Sequence, residues 1–458
     1  MLLCTMLALA APSSAQAAWS SPIPLSSPGQ LFQPPEVAVD QNGNAVFAWS
    51  RSDRTTDCPF DSSGCDRVYA RVRSAAGSLS AVQTLSPARQ FALQATVAVD
   101  PAGDAIFVWE SNDGVPGCPD NYNRGCFRVQ VRTRSAAGSL SPVQTISPEG
   151  QNTSDPRVGV DQDGNAVIVW TVTTGGVLAR SRSATGVLGA TQTIGCCFGA
   201  DVAVDVAGDA VFAWQGYDTS TDCNGQSCRR TYARARSTAG ALSAIQTLSA
   251  AGKDAMAYPR LGVDQSGDAV FVWTRYDGDT TNCQTGYPNE GCVRVQARAR
   301  SAAGALSAIQ TLSAPGTYAG AVLKNPAVAV DPAGDAVFGW EDQRFNGTCG
   351  GSGCHKIQAR ARSAAGPLSA IQSLFTGRTV GVPEVGIDQN GNAVFVWEGV
   401  TGIEARTRSA AGVLGTTQTL YSGGSLYPGG IAPRVAVDPN GNAAAVWLGD
   451  RILAAVGP

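Results

Sequence analysis

Histidine is nearly missing from this 458-residue chain, and His355 is its single copy. With His355 set beside Cys354 in an expected loop, neither a His-based triad nor a His-rich metal site can be assembled. Lysine is almost as scarce, since only Lys253, Lys324 and Lys356 contribute to the 33 basic residues; we read that as compositional bias. Charged residues are 15% of the chain, against roughly 25% in ordinary soluble domains. The net charge of −3 supplies no global field for nucleic acid or an anionic membrane, so neither is expected as a partner. No Cys-x-x-Cys, Ser-x-x-Lys or nucleophile-elbow motif occurs, which removes the usual signatures of thiolate zinc sites and activated serines. No stretch approaches the roughly 20 apolar residues of a membrane helix, and none keeps a helical period.

One short phrase, by contrast, is present eight times. It reads Val37-Ala-Val-Asp-Gln-Asn-Gly-Asn-Ala-Val-Phe-Ala-Trp49 in its first copy and ends at Trp109, Trp170, Trp214, Trp273, Trp340, Trp397 and Trp447 in the others. Its aspartates, from Asp40 to Asp438, are 60, 61, 44, 59, 67, 57 and 50 residues apart. Spacing of this kind marks a repeat architecture, in which each unit needs its neighbours to bury its faces.

Each unit reads as four strands. Strand A is Pro-x-Val-Ala-Val-Asp and strand B is Asn-Ala-Val-Phe-Val-Trp, joined by a tight turn whose Asp caps amides and whose Gly supplies positive φ. Strand C alternates, as in Val295-Gln-Ala-Arg-Ala-Arg300, and after Ser-Ala-Ala-Gly comes strand D, as in Leu306 to Leu312. The eighth copy stops after strand C, at Arg451 to Val456, while Trp19 to Leu25 resembles a strand D without a unit of its own. A ring closed by that N-terminal strand explains the permutation; an open stack would want atypical caps instead. The expected fold is therefore all-β, an eight-bladed β-propeller with four-stranded blades. Its repeat cores are 35–87, 95–148, 156–194, 200–249, 259–313, 326–374, 383–420 and 433–458 plus 19–25, all within 19–458. The Val-Ala-Val-Asp-x-x-Gly-Asn-Ala hairpin resembles that of NHL-type and related secreted bacterial propeller repeats, although strand B here ends in Trp and the loops carry cysteine. That resemblance implies a binding platform more often than an enzyme.

Residues 1–18 are expected to be a secretory signal, from the apolar run Leu2 to Ala11 and the small residues at Ala15-Gln-Ala17. Ten of the remaining cysteines fall into close pairs: Cys58–Cys65, Cys118–Cys126, Cys223–Cys228, Cys283–Cys292 and Cys349–Cys354. Each follows the Trp of its own repeat, and local disulfides in an oxidising compartment account for them. Cys196 and Cys197 are adjacent, and a vicinal disulfide, free thiols and a cross-link between chains all stay open. The expectation is a secreted, extracellular monomer without membrane insertion.

In such blades the A–B and C–D turns share one face of the ring, and the B–C loops and D–A crossings share the other. The first set is nearly uniform here and the second varies, which makes the B–C/D–A face the candidate binding surface. Its loops carry Asp53, Asp113, Asp218 and Asp277 four residues after the Trp, with aromatics including Tyr122, Tyr217, Tyr276 and Phe345. Rings that stack on sugar faces beside carboxylates that accept hydroxyls suit a carbohydrate; a cationic peptide fits as well. The competing structural reading has each Asp cap its own loop and each ring cover its own disulfide. The Asp161-Gln-Asp163-Gly-Asn165 turn invites calcium, but turn capping explains it more simply. The paired strand C arginines, such as Arg298 and Arg300, are read as inter-blade packing rather than polyanion clamps, because they recur without variation. No cofactor, metal or catalytic residue is assigned. The functional expectation is a binding or scaffold propeller that recognises an extracellular carbohydrate or protein. The alternatives are a carboxylate-dependent glycoside hydrolase or polysaccharide lyase, and a structural cell-surface protein.

Overall fold

Strand B of every repeat carries three successive buried residues before its tryptophan, so both of its faces are covered and it must lie inside a layered stack. In the computed structural model these strands sit second in eight antiparallel sheets. The structure describes residues 18–28, 33–53, 65–112, 126–222, 227–276, 292–315, 318–319, 325–344, 354–377, 381, 383–423 and 433–457. Blade 3 is representative: strand A is Thr153–Val160, strand B Ala166–Val172, strand C Gly176–Arg182 and strand D Gln192–Cys196. Blade 6 adds Tyr318–Ala319 beside its strand B.

The first strands of neighbouring blades touch one another around the whole circle, the last returning to the first. The fold is an eight-bladed propeller, and strand A lines its axis. Closure follows the expected route. Ile23–Pro24 pairs with Ile452–Gly457 of the last blade, Ile23 opposite Ala454 and Pro24 opposite Leu453. Serine hydroxyls extend this short ladder, with Ile452 N donating to Ser26 Oγ at 3.0 Å and Val456 N to Ser20 Oγ at 3.1 Å. Leu25 is fully buried in the joint between the last and first blades.

Between blades lie the eight repeat tryptophans, each at most 1% exposed. An indole of this size removes roughly 150–250 Å² from water, a major share of each interface at about 25 cal/mol per Å². Strand D is shorter than its sequence pattern predicts. In blade 5 only Gln310–Thr311 is regular, with one bridge from Arg300 to Leu306. Serine side chains take over the ladder, as Ala299 N donates to Ser307 Oγ at 3.0 Å and Val295 N to Ser313 Oγ at 3.1 Å. The hydroxyl stands in for a backbone carbonyl, so the outer edge is satisfied without a continuous strand. Among the described residues no helix is long and apolar enough to cross a membrane.

Candidate functional site

The uniform face of the ring is occupied by its own interlocks. Asp161 Oδ1 accepts from Asp163 N at 2.9 Å and Asn165 N at 2.8 Å, and its Oδ2 from Asn165 Nδ2 at 2.9 Å. The same Oδ2 packs against Gly208 of the next blade, where an added Cβ would lie 2.8 Å away. Both oxygens are thus engaged within the fold, and among the described residues no group of three His, Cys, Asp or Glu is placed to hold a metal. The strand C arginines also face inward to neighbours. Arg182 Nε donates to Gln144 Oε1 of the preceding blade at 2.8 Å, while Gln144 Nε2 donates to Gly186 O at 2.9 Å. Arg180 reaches the Ile146 carbonyl of that blade at 2.9 Å. Arg71 repeats this contact across the closure, donating to Leu25 O at 3.2 Å.

Variation appears at one level of strand A. The residue paired with the one preceding the tryptophan is Glu36 in blade 1, opposite Ala48, and Arg434 in blade 8, opposite Val446. Around the ring this position is acidic at Glu36, Asp201 and Glu384, basic at Arg157, Arg260 and Arg434, and neutral at Thr96 and Ala327. All eight side chains line one cavity of about 210 Å³. Two residues further along every strand A stands Ala or Gly. A Cβ on Gly159 would sit 2.7 Å from Val204 Cγ2, and one on Gly262 2.7 Å from Val330 Cγ2, so the inner strands crowd beneath the charged ring. Because strand A begins at the D–A crossing, the cavity is the channel mouth on the variable face. The sequence signal for it was the unspecified residue of Pro-x-Val-Ala-Val-Asp, the one position of the phrase that changes charge.

Blades 2 to 4 raise a wall beside this mouth. Their A strands start early and bulge between Leu93 and Thr96, Ser154 and Arg157, and Phe198 and Asp201. Each bulge has a left-handed residue: Gln94 at φ 51°, Asp155 at 54° and Gly199 at 66°. Bulges of this kind re-aim side chains and concentrate near functional sites. With the Gln94 amide oriented nitrogen-inward, the assignment that satisfies both neighbours, it bridges two acids, 3.0 Å from Asp155 Oδ1 and 3.0 Å from Glu110 Oε1. Glu110 also accepts from Asp155 N at 2.5 Å and is 5% exposed. Burial pushes its carboxyl up to about 8, with the Asp155 backbone bond and Arg157 opposing the rise.

Next to the wall is an aromatic shelf. Phe198 meets Tyr217 edge-on at 5.6 Å and Tyr258 at 5.9 Å, and the two tyrosines are 51% and 41% exposed. Gly199 is required where the shelf joins the mouth, since a Cβ there would fall 2.1 Å from the Tyr258 ring. Tyr258 precedes Arg260 by two residues, and Gly199 precedes Asp201 by two. Cys196 and Cys197 lie beside the shelf as free thiols, their sulfurs 2.7 Å apart, with Cys197 at φ 92°. A Cβ at Gly216 would stand 3.1 Å from Cys196 Sγ and 3.4 Å from Cys197 Sγ.

Of the loop residues singled out in sequence, Tyr217 is on this shelf. Asp218 pairs with Arg230 at 2.7 Å, and that arginine also donates to Ser249 Oγ and O. Asp53 stands 3.5 Å from Arg67 and accepts from Cys65 N at 3.2 Å. Tyr276 is half-buried at the end of its strand, its N–H donating to Asp254 O at 3.0 Å. Asp113, Tyr122, Asp277 and Phe345 lie outside the described residues. Cys65, Cys126, Cys228 and Cys292 are buried at the start of their C strands; Cys58, Cys118, Cys223, Cys283 and Cys349 lie outside the described residues, as does the Cys354 side chain. His355 Nδ1 contacts Glu341 Oε1 at 2.5 Å on blade 6.

No family model matches the chain, and no curated protein matches it in sequence. Among solved structures it is similar to the Dos1 propeller, with 8% identity and a TM-score of 0.50 over 96% of this chain and 95% of that one. A lectin from Burkholderia pseudomallei aligns at 10% identity and TM-score 0.48, covering 84% and 98% of the two chains. An ulvan lyase of a polysaccharide lyase family aligns at 7% and 0.47, covering 86% and 96%. Identities this low establish the propeller fold alone.

Proposed function

We propose that the protein is a secreted binding propeller that takes an extracellular carbohydrate on its B–C/D–A face, at the shelf of Phe198, Tyr217 and Tyr258 and the adjoining channel mouth. The observation that carries this reading is the shelf itself. Two half-exposed tyrosines are braced edge-on by a third ring, so they present flat faces with little rotamer freedom left to lose on binding. The opposite face offers uniform turns whose Asp and Arg groups are engaged in holding blades together. Export with residues 1–18 as signal, and local disulfides bracing the long loops, belong to the same proposal, as does the kinship of the hairpin with NHL-type repeats.

A glycan array run on the purified protein, beside product analysis on the same polysaccharides, tests it. Binding without released sugar is expected, and Tyr258→Ala should weaken it at least tenfold. Silence on the array, or binding untouched in Tyr258→Ala and Tyr217→Ala, would count against the shelf. A second reading, a carboxylate-dependent glycoside hydrolase or lyase, has one observation in its favour: Glu110, protonated near neutrality, shares the Gln94 amide with Asp155. General acids are tuned upward in this way. Glu110 is nevertheless 5% exposed, and an acid so covered has no path to a glycosidic oxygen. Released sugar that disappears in Glu110→Gln would establish this second reading.

A further inference from the structure

The charged ring at the channel mouth is unevenly paired. Arg434 takes two of its three acids, donating to Glu36 at 3.1 Å and Glu384 at 2.5 Å. Asp201 alone is left for the other two arginines, and it stands 3.9 Å from Arg260, the outer limit of an ion pair. Arg157 donates to the carbonyl of Pro156 at 3.1 Å, and among the described residues it forms no ion pair. Nor is the nearby Asp155 engaged with it, since that carboxyl is turned to Gln94. On the side of blades 3 to 5, two guanidinium groups therefore share one carboxylate.

A guanidinium keeps its charge through the neutral range and offers five N–H donors in a fixed fork. Arg157 is half-buried at the mouth with no carboxylate in contact among the described residues, and a ligand that supplies one offsets the desolvation of its guanidinium. A carboxylate or sulfate matches the fork in two parallel bonds. The cavity of about 210 Å³ has room for such a group with several waters, each taking about 30 Å³. A neutral ligand would leave Arg157 without a direct ion pair, and a cationic one would compete with Arg434 and Arg260 for acids already engaged.

We infer that the ligand is anionic, an acidic saccharide whose carboxylate or sulfate docks at Arg157 and Arg260 while its sugar ring extends toward Tyr258. This rests on the carbohydrate reading above, but the anion site can be tested apart from it. Calorimetry at constant ionic strength would compare inorganic sulfate, a galacturonate trimer, a sulfated disaccharide and neutral oligosaccharides of the same lengths. The wild-type protein should bind at least one acidic saccharide tenfold or more tighter than its neutral counterpart, with sulfate competing. Arg157→Gln should lose at least tenfold in acidic affinity and narrow the preference for acidic over neutral saccharide; Arg157→Lys should fall between. Sulfate bound by the wild type and lost in Arg157→Gln, with no saccharide bound, would keep the anion site and sink the carbohydrate reading. Equal affinity for neutral and acidic saccharides would overturn the inference, as would a folded Arg157→Gln that binds the acidic ligand like the parent. Should Arg157→Gln fail to fold, sulfate competition on the wild type decides alone.

Discussion

Gly164 sits at φ 79°, and a Cβ there would lie 2.8 Å from Asp100 Oδ2 of the preceding blade. Two requirements meet at one residue, a left-handed turn and the close approach of a neighbour's carboxylate. Gly164→Ala should therefore cost roughly 1–3 kcal/mol by chemical denaturation, whereas an alanine at exposed Gly175, φ 98° with nothing within 4 Å, carries only the backbone part. Glu110 gives a prediction in pH. Burial pushes its carboxyl up to about 8 in the folded chain, against about 4.3 when unfolded. Between those values the unfolded state has released a proton that the native state keeps, so stability falls as pH rises from about 4 toward 8. Glu110→Gln removes that dependence. Melts at pH 4.5 and pH 8 should show the variant gaining on the parent at the higher pH, and an identical pH profile for both proteins would contradict the burial argument. Cys196, whose thiol burial pushes up to about 11 with help from Cys197, should alkylate slowly at pH 7 and faster toward pH 10.

Strand C and strand D work as a pair of latches, and their logic was partly legible. Recurrence of two arginines at fixed positions identified packing residues, but their partners, Gln144 and its equivalents, were invisible because they belong to the preceding repeat. Gln144→Ala strips Arg182 of its side-chain acceptor and Gly186 O of its donor, and should cost about 1–3 kcal/mol. Strand A was legible as a strand, but the unspecified residue of its pattern was given no role. Only stacking eight repeats around an axis turns that position into a ring with a pattern. The bulges at Gln94, Asp155 and Gly199 were also beyond sequence reasoning, since Gln and Asp at positive φ are held there by contacts distant in the chain. Pairs such as Asp53 with Arg67 explain why a recurring loop acid need not face a ligand.

For the molecule as a whole, closure and site are linked. The ring exists because Trp19 to Leu25 completes the last blade, and this was readable from the missing strand at one end and the orphan strand at the other. Leu25→Ala, at a fully buried joint, should cost about 2–5 kcal/mol and do so without altering the shelf residues. The proposed ligand face, in contrast, is assembled from blades 2 to 5 and from the mouth that all eight share, so it emerges only in the closed ring. The most direct measurement is a crystallographic difference map of the protein soaked with the tightest saccharide from the array. Density is expected over Tyr217 and Tyr258, with an acidic substituent within hydrogen-bond distance of Arg157. Density on the A–B and C–D turn face, or a ligand on the shelf whose acidic group points away from the mouth into solvent, would contradict it.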